Sequence, residues 1–481
     1  MKASHSTQGN SPILFLGTAL LLVITTLIGF SSCQKEKWVT SGGDLRFSTD
    51  TLRFDTVFTA TGSVTRSFKI YNPNSKNIRI DRIHLAAGSQ SPYRMNIDGE
   101  TTKDIQHVEI AAGDSIYVFV AITINPTSGN NPFLVNDAVQ VTLNGIMRQV
   151  PLEAYGQDAH YIADSVLSTQ TWINDKPYVI VHSALVDTNQ TLTIQKGCRI
   201  YMHQDSKLFV AGTLQVFGTK ADSVIFQGDR LDRDYFGYKD YPGEWRGIDF
   251  LGSSTHNSIN YAIIKNGGLT DAAILVRPAD FIDVINPNLL LRNCIIANSA
   301  GYGILAGHSH VQAINCLIHT CGTQNLAVLE GGLYTFQFCT LATYGGTGIN
   351  HANQPTMALL NYRDTSLTAY IGNNLQANFT NCIIYGPLDD ELVCGKKTDW
   401  LYDIHFTNCL LKRKTDITPF ATLTNTIFNT DPIFTEYYTW DFHPKPSSPL
   451  KAAGTGVAGI LDDLDGVTRP SVPSIGCYEV Q

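Results

Sequence analysis

Hydrophobic positions change their rhythm three times along the chain. An unbroken apolar run from Ile13 to Phe30 comes first. Between 45 and 157 apolar and polar residues alternate, as in "SFKIYN", "IRIDRIHL", "SIYVFVAITIN" and "AVQVTL". Alternation with period two predicts half-buried strands. Asn144-Gly145 between two such runs marks a hairpin. About seven strands are expected there, as in an antiparallel sandwich. From Trp172 onward the pattern becomes short aliphatic runs of three to five residues, cut by Gly, Asn and Asp. No helical period links those runs, so they too read as strands.

The third pattern repeats. "LRNCII" (291–296), "AINCLI" (313–318), "FTNCII" (379–384) and "FTNCLL" (406–411) place Asn-Cys before two aliphatic residues. Cys294 to Cys316 is 22 residues, Cys316 to Cys339 is 23, Cys339 to Cys382 is 43 and Cys382 to Cys409 is 27. A period of 20–30 residues marks stacked repeats, and the 43-residue interval reads as two steps. Asn suits the bend, and the next residue turns inward together with the aliphatic two further on. Each Cys is therefore expected in a small core site, behaving as a buried hydrophobe. Stacked in register, the Cβ atoms would stand near 4.8 Å apart, wider than the roughly 3.8 Å of a disulfide. An in-line column also fails to converge four ligands on zinc. No metal and no cofactor are expected.

Two stretches resemble known families. "DTVFTATGSVTRSFKIYNPNSKNIRIDRI" is similar to immunoglobulin-like domains of the abnormal-spindle and hydin type. "LTIQKGCRIYMHQDSKLFVAGTLQVFGTKADSVIF" (192–226), with "EWRGIDF" and "INYAIIKNGG", resembles the opening coils of bacterial right-handed parallel β-helix proteins. The resemblance implies an all-β chain: an immunoglobulin-like β-sandwich over 45–157, then a single-stranded, pectin-lyase-like right-handed solenoid over 158–430. Residues 172–430 would hold about 12 coils of about 22 residues, a rod near 55 Å long at about 4.8 Å per coil. The tail at 442–479 resembles the segment that closes many such proteins, so 431–481 is expected to cap the solenoid. Asp463-Leu464-Asp465-Gly466 lacks the Glu that a calcium loop needs at its twelfth place, where Ser474 stands, and reads as a turn.

The first 33 residues resemble a bacterial lipoprotein signal: Lys2, the apolar run, Ser31-Ser32, then Cys33. That resemblance implies a lipidated Cys33, residues 34–44 as a tether, and attachment to a bacterial outer membrane, Gln34 following the Cys. Acyl chains contribute about 0.8 kcal/mol per buried CH₂, enough for durable anchoring when several are attached. Composition agrees with an exported β protein: charged residues are 16% of the chain, against about 25% in ordinary soluble domains. A net charge of −8 without a basic stripe argues against nucleic acid.

Candidate chemistry concentrates in "GDRLDRDYFGYKDYPGEWRG" (228–247). Asp229, Asp232, Asp234, Asp240 and Glu244 mingle there with Arg230, Arg233, Lys239 and Arg246, beside Tyr235, Phe236, Tyr238, Tyr241 and Trp245. Rings take the apolar face of a sugar while charged groups take its hydroxyls. Asp232, Asp234, Tyr238, Glu244 and Arg246 are the expected ligand contacts. The competing reading is a solvated loop whose charges pair internally, with Trp245 packing on the next coil. Gly307-His308, Asp389-Asp390 and Asn429-Thr430-Asp431 echo fragments of the pectin-degrading hydrolases of this fold. Four coils would set the first two about 19 Å apart, whereas acid and nucleophile or base belong about 5–10 Å apart. His308 and His310 in "GHSH" read as turn residues. The leading expectation is a non-catalytic cell-envelope protein that binds carbohydrate or another envelope partner; a polysaccharide lyase or hydrolase is second, a structural spacer third.

Overall fold

A computed structural model describes residues 37–59, 62–126, 132–231, 241–278 and 287–481. Every regular element among them is a strand, apart from two single 3₁₀ turns at Gly88–Gln90 and Tyr437–Thr439. The chain divides after Gly156 into two compact units.

The first unit holds two antiparallel sheets of five strands each. One has the order Arg46–Phe47, Arg66–Tyr71, Ser115–Ile122, Tyr93–Ile97, Glu100–Thr102; the other Leu52–Phe58, Ile146–Gln157, Phe133–Leu143, Ile78–Leu85, Asp104–Ile110. Their inward residues meet in one core, with Phe68, Ile70, Val118 and Val120 from the first and Ile80, Ile83, Val139 and Val141 from the second. Outward positions mix charges with exposed rings such as Tyr117 and Phe119, and Arg79 meets Glu109 at 2.6 Å across neighbouring strands. The hairpin at Asn144-Gly145 forms as expected, with φ of 48° and 78°. Both central residues of such a turn need positive φ, which Asn and Gly tolerate.

In the second unit the strands run parallel, in a ten-stranded and a 17-stranded sheet. Successive repeats send one strand to the first and two short ones to the second. Ser309–Ile314 is followed by Leu317–His319 and Leu326–Val328 before the chain returns at Gly332–Gln337. Asn293, Asn315, Asn381, Asn408 and Asn425 hold the corner between the sheets at φ of 49° to 55°. A short polar side chain makes this left-handed conformation accessible. Cys294, Cys316, Cys339, Cys382 and Cys409 follow inward, fully buried in one core cluster, and all are free thiols.

Repeat counting from the spacing alone fails at the long intervals. Thr335 pairs directly with Asn378, and Gln215 with Ser258. Each interval of 43 residues is therefore one step plus an excursion, so ten strands stand where roughly 12 repeats were expected. A stack of parallel strands needs only the strands in register; surplus chain can leave between them without disturbing the stack.

The C-terminal segment runs back along the flank. Asn408 donates to Ala453 O at 3.0 Å, Asn381 to Thr455 O at 2.8 Å and Asn315 to Asp462 O at 2.8 Å. Later residues of the segment thus reach earlier repeats. Phe442, Leu450, Ile475, Tyr478 and Val480 pack on Leu317, Ile383 and Leu410, which point away from the main core. This explains why Ile295, Leu317, Ile383 and Leu410, each following a Cys, are apolar although they face outward; the fifth, Thr340, accepts a hydrogen bond from Cys477 N of the same segment.

Candidate functional site

Asp232, Asp234 and Tyr238 lie outside the described residues, as does Cys33. What is described of the 228–247 stretch is tied into the fold. The Arg246 guanidinium donates to Asp205 at 3.0 Å. Glu244 lies against Gly228, where a Cβ would come within 2.1 Å of its carboxylate. Trp245 is fully buried, and its indole donates to Lys265 O at 2.9 Å in the following repeat. Asp229 meets His203 at 2.6 Å, and that contact pulls the imidazole's pKa upward despite partial burial. Beside them Lys207 and Asp249 form a buried pair at 2.7 Å. Burial pushes the Asp249 carboxyl up, and Lys207 opposes that. The excursion leaves between Val224–Gly228 and Gly247–Phe250, two strands that pair with successive parts of Arg199–Val210.

Another place gathers imidazoles and carboxamides. A cleft of about 430 Å³ is lined by Asn288, His308, Ser309, His310, Gly332, Leu333, Asn373, Asn374 and Gln376. Its floor is one outward column of the ten-stranded sheet, where Asn288 pairs with His310, His310 with Leu333, and Leu333 with Gln376. Neighbouring strands lie about 4.8 Å apart, so the column spans about 14 Å. Neither imidazole has a partner among the described residues. Ser309 meets the Tyr334 hydroxyl at 3.1 Å, and Tyr334 donates to Gly331 O at 2.9 Å. Gly332 sits between them at φ 126°, and a Cβ there would reach 2.5 Å from the Tyr334 hydroxyl. Only glycine fits that position, so the floor is set by the backbone.

Behind the cleft stands Glu330, almost wholly buried, with Arg277 at 3.8 Å and Arg363 in direct contact. No carboxylate lines the cleft itself among the described residues. His308 adopts φ 44° and is a turn residue as read, whereas His310 is an exposed strand residue facing the opening. Asn288, Asn373, Asn374 and Gln376 escaped the sequence reading. The only signal was "GNNLQ" (372–376), a polar pair entering a strand. Asp389 stands three strand steps from His308 rather than four, by way of Leu326–Val328, Met357–Leu360 and Leu392–Gly395. About 14 Å still separates those steps, and Asp389 pairs with Lys414 at 3.2 Å. No glycosidase pair forms there.

No family model matches the chain, and no curated protein matches it. Similar solved structures include a family 123 glycoside hydrolase from Clostridium perfringens, at 8% identity over 23% of this chain and 25% of that one, TM-score 0.17. A PapD-like domain of human CEP192 matches at 11% identity over 26% of this chain and 92% of that one, TM-score 0.17. The Salmonella enterica SafA pilin in complex with the SafB chaperone matches at 10% identity, over 25% and 58%, TM-score 0.17. The chain thus spans a quarter of the glycoside hydrolase's length, and each likeness covers about a quarter of this chain.

Proposed function

We propose that this is an exported lipoprotein, anchored through Cys33, that binds carbohydrate at the His308–Gln376 cleft without transforming it. In this reading the parallel strands wind as a right-handed β-helix behind an immunoglobulin-like sandwich. The constant register of the strands supports the first part and the two antiparallel sheets over one core support the second. One observation carries the function: a cleft on in-register strands offers carboxamides and imidazoles, with no carboxylate among its described lining residues. Such groups donate and accept hydrogen bonds in the manner a sugar's hydroxyls require. The paired acid and base of a glycosidase are missing from its lining.

The soluble fragment 40–481 should retain at least one glycan on an array. Combining His310→Ala with Gln376→Ala should abolish that retention while the thermal midpoint stays within a degree or so, since both side chains are exposed. Release of reducing ends, or of a product absorbing as an unsaturated uronide, would instead make the protein an enzyme. For the anchor, Cys33→Ala should free the protein from the membrane fraction or leave its precursor unprocessed; retention with normal processing would end that reading.

A further inference from the structure

The cleft has a built end. Its floor crosses two repeats with tight corners, two residues between Ala306 and Ser309 and three between Val328 and Gly332. Downstream, 14 residues (361–374) separate Met357–Leu360 from Leu375–Thr380, and they form the hairpin Tyr362–Asp364 with Tyr370–Gly372. Asn373 and Asn374 leave that hairpin and stand at the cleft's edge. Asn374 is held from both sides: its carbonyl accepts from Gly332 N at 2.8 Å, and its side-chain oxygen accepts from Leu401 N at 2.9 Å. The next position of the floor column, Asp403, pairs with Gln376 yet takes no part in the lining.

The hairpin is fastened to the neighbouring 396–401 loop. Asn361 donates to Lys397 O at 2.9 Å and accepts from Lys397 N at 2.8 Å. The Lys397 ammonium lies 4.4 Å from the Tyr370 ring and 4.8 Å from the Tyr362 ring. Tyr370 donates to Asp399 at 2.8 Å, and Trp400 meets its ring edge-on at 5.9 Å. Two cation–π contacts, a charge-assisted hydrogen bond and a reciprocal carboxamide clasp hold this wall in place.

Resting on the binding function proposed above, we infer that the cleft takes a short oligosaccharide or the terminus of a glycan, and not the interior run of a polymer. A volume of about 430 Å³ lies near the lower end of the roughly 300–1,000 Å³ of small-ligand sites. A floor of about 14 Å ending against Asn373 and Asn374 gives a longer chain no continuation along the column. Exposed Leu333 offers the one apolar contact in the floor for a ring face.

Calorimetry of the full chain in detergent with chito-, cello-, xylo- and galacturono-oligosaccharides, each from disaccharide to octasaccharide, tests the inference without a mutation. In the series that binds, affinity should climb over the first members and level off by the tetrasaccharide, and the parent polymer should bind no tighter per chain end. Affinity that keeps rising to the octasaccharide, with His310→Ala plus Gln376→Ala still abolishing it, overturns the end-recognition inference and leaves the binding function standing. Binding that survives those two substitutions, or the absence of binding in every series, overturns the function itself.

Discussion

The two units use outward-facing strand positions in opposite ways. In the antiparallel unit those positions mix charges paired across the sheet, such as Arg53 with Glu153 and Arg82 with Asp104, with solvent-facing rings such as Tyr117, Phe119 and Tyr155. Outward residues in the parallel unit differ by face. One face carries Leu317, Ile383 and Leu410 under the C-terminal segment, and another carries His310, Leu333 and Gln376 open to solvent. Strand interiors set the stack in both units, so only the outer positions distinguish a solvated face, a covered face and a site. Exposed ion pairs contribute little because water competes for both partners. A covered face depends on the segment above it.

The strongest way to break that comparison is Arg469→Ala. Arg469 lies in the covering segment and is buried, 2.5 Å from Glu479 and 3.0 Å from Asn315, with its guanidinium 3.8 Å from the Phe338 ring. Burial lowers its pKa and the Glu479 carboxylate opposes that. Removing one partner leaves an uncompensated buried carboxylate, at a cost of about 3–5 kcal/mol. Calorimetry should show the parallel unit's transition falling sharply and the antiparallel unit's staying in place. Arg82→Ala, the exposed counterpart, should leave both transitions where they were. Equal shifts in the two variants would mean that the C-terminal segment does not hold the flank.

A smaller change sharpens the same contrast from inside the stack. Cys382 is fully buried, and its thiol approaches Phe336 O at 3.4 Å in the repeat before it. Burial pushes another thiol, that of Cys321, up to about 12. Cys382→Ala removes one sulfur from a packed column and should cost on the order of 1 kcal/mol. Mass mapping under non-reducing conditions should find Cys294, Cys316, Cys339, Cys382 and Cys409 unlinked. Any disulfide among them would show that the column is not packed as free thiols.

Much of the scaffold could be read from the residues. The Asn corners, the inward Cys and the Asn144-Gly145 hairpin follow from local backbone chemistry, which each short motif carries whole. The 43-residue intervals misled because an excursion of one repeat's length has the same sequence period as a repeat. Ile295 and Leu317 fall on the outward side of the strand alternation, and only the return of the C-terminal segment explains why they are apolar. The cleft was the least legible part. Asn288, His310, Leu333 and Gln376 are far apart in the chain, and only parallel pairing brings them into one column. The 228–247 stretch drew attention through its charge, yet Glu244, Trp245 and Arg246 serve the fold locally.

The smallest expected effect is a pair of opposed pH responses where the C-terminal segment meets the stack. His443 stands between Asp441 at 2.6 Å and Asp465 at 2.8 Å, stacked 3.8 Å from Tyr478, and Lys220 also pairs with Asp465. Partial burial would lower its pKa, but the two carboxylates outweigh that and the net shift is upward. Its contribution is therefore complete below the unfolded value of about 6.5 and is lost as pH rises through the folded value. Asp465 is shifted down by Lys220 and His443 against its own burial, so its share holds above about 3.9 and fades as pH falls through its folded value. His319 behaves oppositely to His443. Its ring is buried 4.9 Å from Phe442 and 5.4 Å from Trp440, and burial pushes its pKa down to about 3. Below about 6.5 the unfolded chain takes up a proton that the folded chain refuses, so stability drops as pH falls toward 3. Thermal midpoints measured from acid to alkaline pH should thus fall at both ends. His443→Gln should flatten the alkaline side and, by taking a partner from Asp465, also alter the acid side, whereas His319→Leu should flatten the acid side alone. If both variants keep the full pH profile, these two contacts do not govern how the segment is held.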